Sequence, residues 1–114
     1  MAQTGQKLTK RKWQIYKTKQ YHAKKKNIVF KLRFKDLDFP THCPVLGIKL
    51  DYWVRGKVTM HSPSFERLDS NIGYIKSNVL IVSMKANVMK NSASLKELKS
   101  LVVFLEKIKG EESA

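Results

Sequence analysis

The chain has 114 residues, of which 23 are Lys or Arg and 9 are Asp or Glu, so its formal net charge is +14. With 42% hydrophobic residues, one Cys and no apolar run approaching the ~18 to 20 residues of a membrane span, the composition predicts one cytoplasmic domain. It excludes a disulfide framework and a Cys-based zinc finger. The charge favours an anionic partner, with nucleic acid ahead of an acidic membrane surface.

The positive charge is concentrated at the beginning of the chain. Residues 1–35 contain 12 Lys and Arg and no Asp or Glu, whereas the remainder contains 11 basic and all 9 acidic residues. A cationic segment without acidic neighbours is typical of nucleic-acid contact. We therefore divide the chain into residues 1–38, a basic helix and extended arm that contact nucleic acid, and residues 39–114, a nearly balanced body.

The first predicted element is a basic helix from Thr9 to about Lys26. The segment lacks Pro and Gly and is partly amphipathic, with Trp13, Tyr16 and Tyr21 among Lys and Gln. The aromatic residues between the cations favour nucleic-acid contact over the alternative, a solvated helix end at Lys24 to Lys26.

The second predicted element begins at Ile28, where the apolar period changes to two. Through Lys35 this alternation predicts a half-buried strand or an extended arm. The cations that we assign to nucleic acid lie in these two elements and on a later helix: Lys10, Arg11, Lys12, Lys17, Lys24, Lys25, Lys26, Lys31, Arg33, Lys85 and Lys90.

A tight turn is predicted at Cys43-Pro44-Val45-Leu46-Gly47, between two short extended pieces. Cys43 could ligate a metal or react as a thiol, because His42 is adjacent. A single Cys without a second one at zinc-ligand spacing favours a small buried hydrophobic residue instead.

The stretch between residues 62 and 91 predicts a strand, a long loop, a second strand and a short helix. Ser64–Leu68 is short and extended, Asp69–Tyr74 is rich in turn formers, and Asn78–Val82 is a β-branched apolar strand. Ser83 can cap the following helix. This order brings a polar group on the first strand close to one on the helix, and such a pair can hold one divalent metal ion against a phosphodiester.

The last predicted element is a helix that the capping box Ser94-Leu95-Lys96-Glu97 opens and Gly110 ends. We expect it to pack on the sheet as core, with a homodimer interface as the alternative. The elements together predict an α+β fold with a basic N-terminal helix and a C-terminal amphipathic helix. The apolar residues of the last helix recur at helical spacing: Leu95, Leu98, Val102, Leu105 and Ile108.

Five short motifs occur in order in the chain: Cys43–Leu50 (CPVLGIKL), Ser62–Asp69 (SPSFERLD), Gly73-Tyr74, Asn78-Val79, and Ala86-Asn87 before Lys90. In this order they resemble the small phage-type HNH endonucleases, whose motifs commonly read SPSLDRID, GY, NV and AN. The resemblance covers roughly residues 20 to 100, and several motifs in order are specific where one alone would be weak.

The resemblance implies a ββα-metal (His-Me finger) core that cuts or nicks DNA with one Mg²⁺ or Mn²⁺ ion per site. Matched by position, Glu66 and Asn87 would bind the metal, and Asn78 would brace the loop and orient the base. A hard cation with oxygen ligands suits this chemistry, because it stabilises charge on the transferring phosphate and on the leaving oxygen.

Two residues depart from the family pattern. Glu66 stands where an aspartate is usual, and Arg67 stands where the general-base His is expected. Because Arg cannot take a proton at neutral pH, Arg67 would instead clamp the scissile phosphate. His61 is the candidate substitute base, with a surface His of no chemical role as the alternative. Asp69 could be a second metal ligand, although a turn-capping role is favoured.

The first functional hypothesis is therefore a divalent-metal-dependent DNA endonuclease or nickase acting on duplex or branched DNA, in the host cytoplasm if a phage encodes the chain. The alternative is a catalytically inactive HNH-like protein that binds DNA or RNA through its basic surface. A third hypothesis, a ribosomal-type basic protein, predicts binding to structured RNA and no use for Glu66 or Asn87. A monomer would nick, whereas a two-fold dimer could cut both strands.

Overall fold

The computed structural model describes residues 5–53 and 57–113, with side chains at 6–53 and 57–110. It combines helices with a two-stranded antiparallel sheet, so the α+β class is confirmed. No helix in the described ranges is long and apolar enough to cross a membrane. The elements in chain order are α1 (Gly5–Lys25), a 3-10 turn (Phe34–Asp36), β1 (Pro63–Arg67), a second 3-10 turn (Lys76–Asn78), β2 (Val79–Ser83), α2 (Met84–Ser92) and α3 (Leu95–Ser113).

Helix α1 ends in a Schellman motif, because Asn27 adopts a left-handed φ of 56°. The N–H of Ile28 donates to the carbonyl of Ala23 at 2.9 Å, and the N–H of Asn27 donates to that of Lys24 at 3.1 Å. These bonds satisfy carbonyls at the helix end and reverse the chain. The predicted end near Lys26 is therefore correct to within one residue.

The segment after α1 is an extended arm and not a regular strand. Its side chains alternate in burial as the sequence predicts, with Leu32 buried and Lys31 and Arg33 exposed. Its backbone pairs only at a parallel bridge between Phe30 and Tyr74, and the 3-10 turn then ends it. The strand prediction is wrong because the arm pairs with the loop between the two later strands at this one position. The extended-arm alternative is correct.

The core contains both aliphatic and aromatic side chains, and it includes a residue that the sequence suggested would face nucleic acid. Tyr16 is buried, and its hydroxyl donates to the carbonyl of Leu32 at 2.6 Å. The ring of Trp13 packs against Phe34 with 5.3 Å between centroids. Interpreting Tyr16 as a nucleic-acid contact was wrong, because its ring fills the space between α1 and the arm. Tyr21 is exposed.

Strands β1 and β2 form an antiparallel hairpin with Pro63 opposite Ser83 and Arg67 opposite Val79. Alternation along β1 places Phe65 on one face, where its ring meets that of Phe39, and Ser64 and Glu66 on the other. Helix α2 covers the second face. The strands and the helix lie within one residue of their predicted positions.

Cys43 ties the predicted turn to the start of α2. It is buried, as predicted, and its Sγ accepts hydrogen bonds from the backbone N–H of Ser83 at 3.2 Å and of Leu46 at 3.5 Å. The hydroxyl of Ser83 accepts from the N–H of Ala86 at 3.1 Å, which caps α2 as expected. Gly47 closes the turn with a φ of 76°.

Helix α3 begins with the predicted capping box, since the Ser94 N–H donates to Glu97 and the Glu97 N–H donates to the Ser94 hydroxyl. Two predictions about it are wrong. The helix continues past Gly110 to Ser113, and it does not pack on the sheet as core. The core is completed by α1, the arm and the hairpin, and extended backbone at Ala93 starts α3 as a separate element. Six apolar side chains are more than half exposed: Leu95, Leu101, Val102, Val103, Phe104 and Leu105.

Candidate functional site

Four polar side chains meet where β1 packs on α2. The amide Nδ2 of Asn87 donates to the hydroxyl of Ser64 at 2.9 Å, and the ammonium of Lys90 lies 2.8 Å from Oε1 of Glu66. Ser64 and Glu66 are two residues apart on a strand, and Asn87 and Lys90 are three apart on a helix, so each pair shares one face. The hairpin and the helix therefore bring Glu66 and Asn87 into one site.

Glu66 is the most unusual residue of the site, because its side chain is only 12% exposed and Lys90 contacts only one of its oxygens. The second oxygen, Oε2, is buried and has no hydrogen-bond partner among the described residues. A buried charged oxygen without a partner is costly. This carboxylate can therefore accept a further cation or donor at Oε2.

The side-chain amide of Asn87 forms hydrogen bonds with two neighbouring side chains, Ser64 and Asn91. While its Nδ2 donates to Ser64, its Oδ1 accepts a hydrogen bond from Nδ2 of Asn91 at 2.7 Å. Asn91 lies one helical turn further along α2, as the i,i+4 spacing requires. The amide oxygen that would serve a metal is thus held by an exposed side chain that can turn away.

The donor set suits one Mg²⁺ or Mn²⁺ ion. One carboxylate and one amide oxygen are few ligands, but Mg²⁺ usually keeps several waters and needs only one or two protein ligands. The orphaned Oε2 of Glu66 supports this fit. Within residues 5–53 and 57–113, no cluster of three or more His, Cys, Asp or Glu side chains could hold a metal, so a zinc-type cage is not formed there.

Asn78 organises the loop between the strands. It is buried, and its Oδ1 accepts from the N–H of Asp69 at 2.8 Å. Its Nδ2 lies within 3.2 Å of the carbonyl oxygens of Asp69, Ile72 and Gly73. One side chain thus fixes both sides of the loop, whereas its assignment as a catalytic residue stays a prediction.

Arg67 also braces this loop. Its Nη1 donates to the carbonyl of Ser70 at 3.0 Å, and its guanidinium lies 5.1 Å from the ring centre of Tyr74. Cation–π contact of this kind holds the guanidinium on the loop side of the strand. Because successive residues of a strand point to opposite faces, Arg67 points away from the Glu66 face.

Gly73 allows the loop to approach the arm. A Cβ at this position would lie 2.5 Å from the carbonyl oxygen of Val29 and 2.7 Å from its Cβ. The close approach permits the N–H of Tyr74 to donate to the carbonyl of Val29 at 2.7 Å. The Gly-Tyr pair therefore has a packing role that joins the two predicted parts of the chain.

His61 and Asp69 make structural contacts away from Glu66 and Asn87. His61 is exposed, precedes β1, and has its Nδ1 3.4 Å from the carbonyl oxygen of Lys49. Asp69 accepts the N–H of Asn71 at 2.9 Å, which is the turn-capping role that the sequence favoured. The structure therefore brings neither residue to the Glu66 oxygens.

The predicted nucleic-acid cations fall into two groups. Arg33 forms a two-point ion pair with Asp36, and the ammonium of Lys12 lies over the rings of Phe39 and Tyr52. Both cations thus have partners within the chain. Four others do as well: Arg11 with the carbonyl of Tyr52, Lys17 with Gln20, Lys25 with the ring of Tyr21, and Lys90 with Glu66. The exposed remainder comprises Lys10, Lys24, Lys26, Lys31 and Lys85.

Sequence reasoning missed Ser64 and Asn91 and misjudged the surroundings of Lys90. Strand alternation combined with helical spacing would have placed Ser64 beside Asn87 and Asn91 one turn beyond it. No local pattern predicts the ion pair between Lys90 and Glu66, because 24 residues separate them.

The chain matches no protein-family model and no solved structure. It is similar to a curated protein of Enterobacteria phage T4 described as an uncharacterized 29.0 kDa protein in the dda-modA intergenic region. The two are 34% identical over 82 residues, which cover 69% of this chain and 32% of the phage protein. The chain thus spans about a third of the length of the curated relative that it matches and is similar to part of a phage protein.

Proposed function

We propose that the chain is a DNA endonuclease or nickase of the HNH type that uses one Mg²⁺ or Mn²⁺ ion. The observation that carries the proposal is the buried carboxylate of Glu66, which faces Asn87 from the first strand of a strand, strand, helix unit and keeps one oxygen without a partner. A ββα-metal site needs this order of elements and these two positions.

Glu66 and Asn87 would hold the ion through carboxylate and amide oxygens. When bound, such an ion neutralises charge on the transferring phosphate and stabilises the leaving oxygen. Ser64 orients the Asn87 amide, because it accepts the hydrogen bond from Nδ2, and Oδ1 would become available to the ion when Asn91 turns away. The helix and the strand thus provide the positioning.

Lys90 would change partners when the ion binds. Its ammonium now neutralises Glu66, and a divalent cation at that carboxylate would replace it. Because Lys90 is half-exposed at the edge of α2, its ammonium can then contact a DNA phosphate near the site. Lys90 would therefore pair with Glu66 before the ion binds and with a DNA phosphate afterwards.

Arg67, Asn78 and His61 have less direct roles in the proposal. Asn78 fixes the loop that shapes the site, and Arg67 keeps N–H groups for a phosphate beside the loop. His61 lies before β1, at the other end of the strand from Glu66, so the proton of the attacking water would pass to solvent rather than to this histidine.

A catalytically inactive, HNH-like nucleic-acid-binding protein is the second candidate. The observation in its favour is that both ligand side chains already have internal donors, Lys90 at Oε1 of Glu66 and Asn91 at Oδ1 of Asn87. Such a site can be stable without an ion. The basic surface of α1 would then bind DNA or RNA phosphates alone.

The deciding experiment measures conversion of supercoiled plasmid to open-circle and linear forms in Mg²⁺, Mn²⁺ or EDTA. Wild type is compared with Glu66→Gln and Asn87→Ala, and Ser92→Ala, an exposed residue at the end of α2, is the control. Metal-dependent nicking that both site variants lose and the control keeps supports the nuclease. Binding without cleavage by wild type supports the second candidate, and preference for structured RNA supports the ribosomal-type protein.

A further inference from the structure

A cavity of about 660 Å³ lies between the beginning of α1 and the segment that leads to β1. Its walls come from Leu8 and Lys12 on α1 and from residues within 39–53 and 59–61. A cavity of this size is within the range that holds small organic ligands. None of the residues assigned to the metal lines it, so it is separate from the Glu66 and Asn87 site.

The interior of the cavity is aromatic. Phe39, Tyr52 and Trp53 line it, and the first two rings lie 6.2 Å apart between centroids. Tyr52 is fixed because its hydroxyl donates to the carbonyl of Pro40, and burial raises its pKa. Trp53 is only partly buried. A flat ligand can therefore stack on an aromatic side chain that the fold holds at the cavity surface.

The edge of the cavity is cationic. The ammonium of Lys12 lies 5.8 Å from the ring centre of Phe39 and 5.7 Å from that of Tyr52. Lys49 lines the same cavity and is exposed. Asp51 is the carboxylate of the lining, and its Oδ1 accepts the N–H of Trp53 at 2.8 Å. Aromatic walls with two ammonium groups at the edge suit a ligand that joins a flat ring to an anion.

We propose that this cavity binds one unpaired nucleotide of a DNA strand, with the base against Trp53 and its phosphate at Lys12 and Lys49. Aromatic stacking with a neighbouring positive charge is how proteins hold single-stranded bases. The +14 charge of the chain favours a polyanionic ligand over an uncharged one. A base inside a duplex cannot enter, because its faces are covered by its neighbours.

The cavity and the metal site are close along the chain. His61 lines the cavity, and Glu66 follows five residues later, so the two are at most about 18 Å apart. DNA that placed a base in the cavity would bring a phosphodiester a few nucleotides away to Glu66. This step rests on the proposed function, and it names the substrate class as DNA with an unpaired base beside the cut, such as a bulge, flap or branch.

The binding test uses EDTA, so that it does not depend on cleavage. Fluorescence titrations compare a short duplex that carries one extrahelical 2-aminopurine with the matched paired duplex. Wild type should bind the bulged duplex about tenfold more tightly, Trp53→Ala should lose that preference, and Trp53→Phe should retain it. Lys49→Ala should weaken binding of the bulged duplex more than Lys96→Ala, an exposed lysine on α3.

Equal affinity of wild type for the two duplexes would overturn the proposal, as would equal losses for both duplexes in Trp53→Ala and Lys49→Ala. The same variants assayed for nicking in Mg²⁺ separate the two hypotheses. Metal-dependent nicking without preference for the bulge would leave the nuclease standing and remove the cavity proposal. A bulge preference in EDTA without nicking in any metal would do the reverse.

Discussion

Lys90 holds its ammonium 2.8 Å from Oε1 of Glu66, on the same carboxylate whose other oxygen would receive a divalent cation. The Glu66 side chain is largely buried, and a single monovalent partner leaves its second oxygen without a hydrogen bond. A divalent ion with bound waters can satisfy both oxygens. Lys90 and the ion therefore compete for one carboxylate.

This competition predicts that Lys90→Gln raises affinity for Mn²⁺ by about tenfold, because a charge-assisted hydrogen bond of roughly 1.5–3 kcal/mol no longer opposes binding. Mn²⁺ binding is measured by electron paramagnetic resonance in the absence of DNA. Lys85→Gln, on the exposed side of the same helix, is the control and should leave Mn²⁺ affinity unchanged. Weaker Mn²⁺ binding in Lys90→Gln would show that the ammonium supports the ion.

The loop brace predicts that Asn78→Ala lowers the free energy of unfolding by about 2–4 kcal/mol, because a buried amide with four hydrogen bonds is lost and several loop groups lose their partner. Urea unfolding followed by circular dichroism measures the change. Asn71→Ala removes an exposed amide from the same loop and should cost under about 0.5 kcal/mol. Similar losses in both variants would contradict a special role of Asn78.

The contact between Gly73 and Val29 predicts that Gly73→Ala lowers the free energy of unfolding by about 1–3 kcal/mol, because the added Cβ must displace backbone atoms of the arm. Gly110→Ala is the matched control, since the space beside Gly110 is open and Ala is the better helix former. That control should be neutral or stabilising by up to about 1 kcal/mol. An unchanged urea midpoint for Gly73→Ala would mean that the arm yields easily.

Cys43 predicts a pH dependence of stability. Burial alone would raise the pKa of its thiol, but hydrogen bonds from Ser83 and Leu46 lower it to about 7 from an ordinary value of 9.0. The unfolded chain then binds more protons than the folded chain between pH 7 and 9, so the free energy of unfolding rises with pH across that window. Guanidinium unfolding at several pH values should show this rise in wild type. A Cys43→Ala variant that kept the same slope would assign it to other groups.

The hairpin and α2 were predictable from sequence because their signals are local. The β-branched apolar run Asn78–Val82 locates the second strand, the turn formers of Asp69–Tyr74 separate it from the first, and Ser83 caps the helix that follows. Other features depend on contacts between distant residues. Tyr16 has the sequence context of a surface aromatic, yet its hydroxyl reaches Leu32 and its ring becomes core. Only the folded chain shows that Lys90 contacts Glu66, because this contact depends on how α2 packs on β1.

Helix α3 shows that an amphipathic sequence pattern does not by itself predict that a helix is buried. Its apolar spacing predicts burial, but spacing does not identify the surface that covers a helix. Leu101 and Phe104 are more than half exposed, while the hairpin is already covered by α2 on one face. The apolar spacing of α3 alone therefore does not distinguish a buried helix from an exposed one.

The exposure of α3 predicts that a chain ending at Ala93 keeps the stability of the remaining fold. We expect the free energy of unfolding to change by less than about 1 kcal/mol, because the removed apolar side chains bury little surface against the core. Urea unfolding measures the effect, and Leu32→Ala in the full chain is the reference for loss of a buried residue, at about 2–5 kcal/mol. A comparable loss on truncation would mean that α3 supports the core after all. Sedimentation velocity of both chains tests the alternative of a homodimer, because a dimer formed through α3 becomes a monomer when the helix is removed.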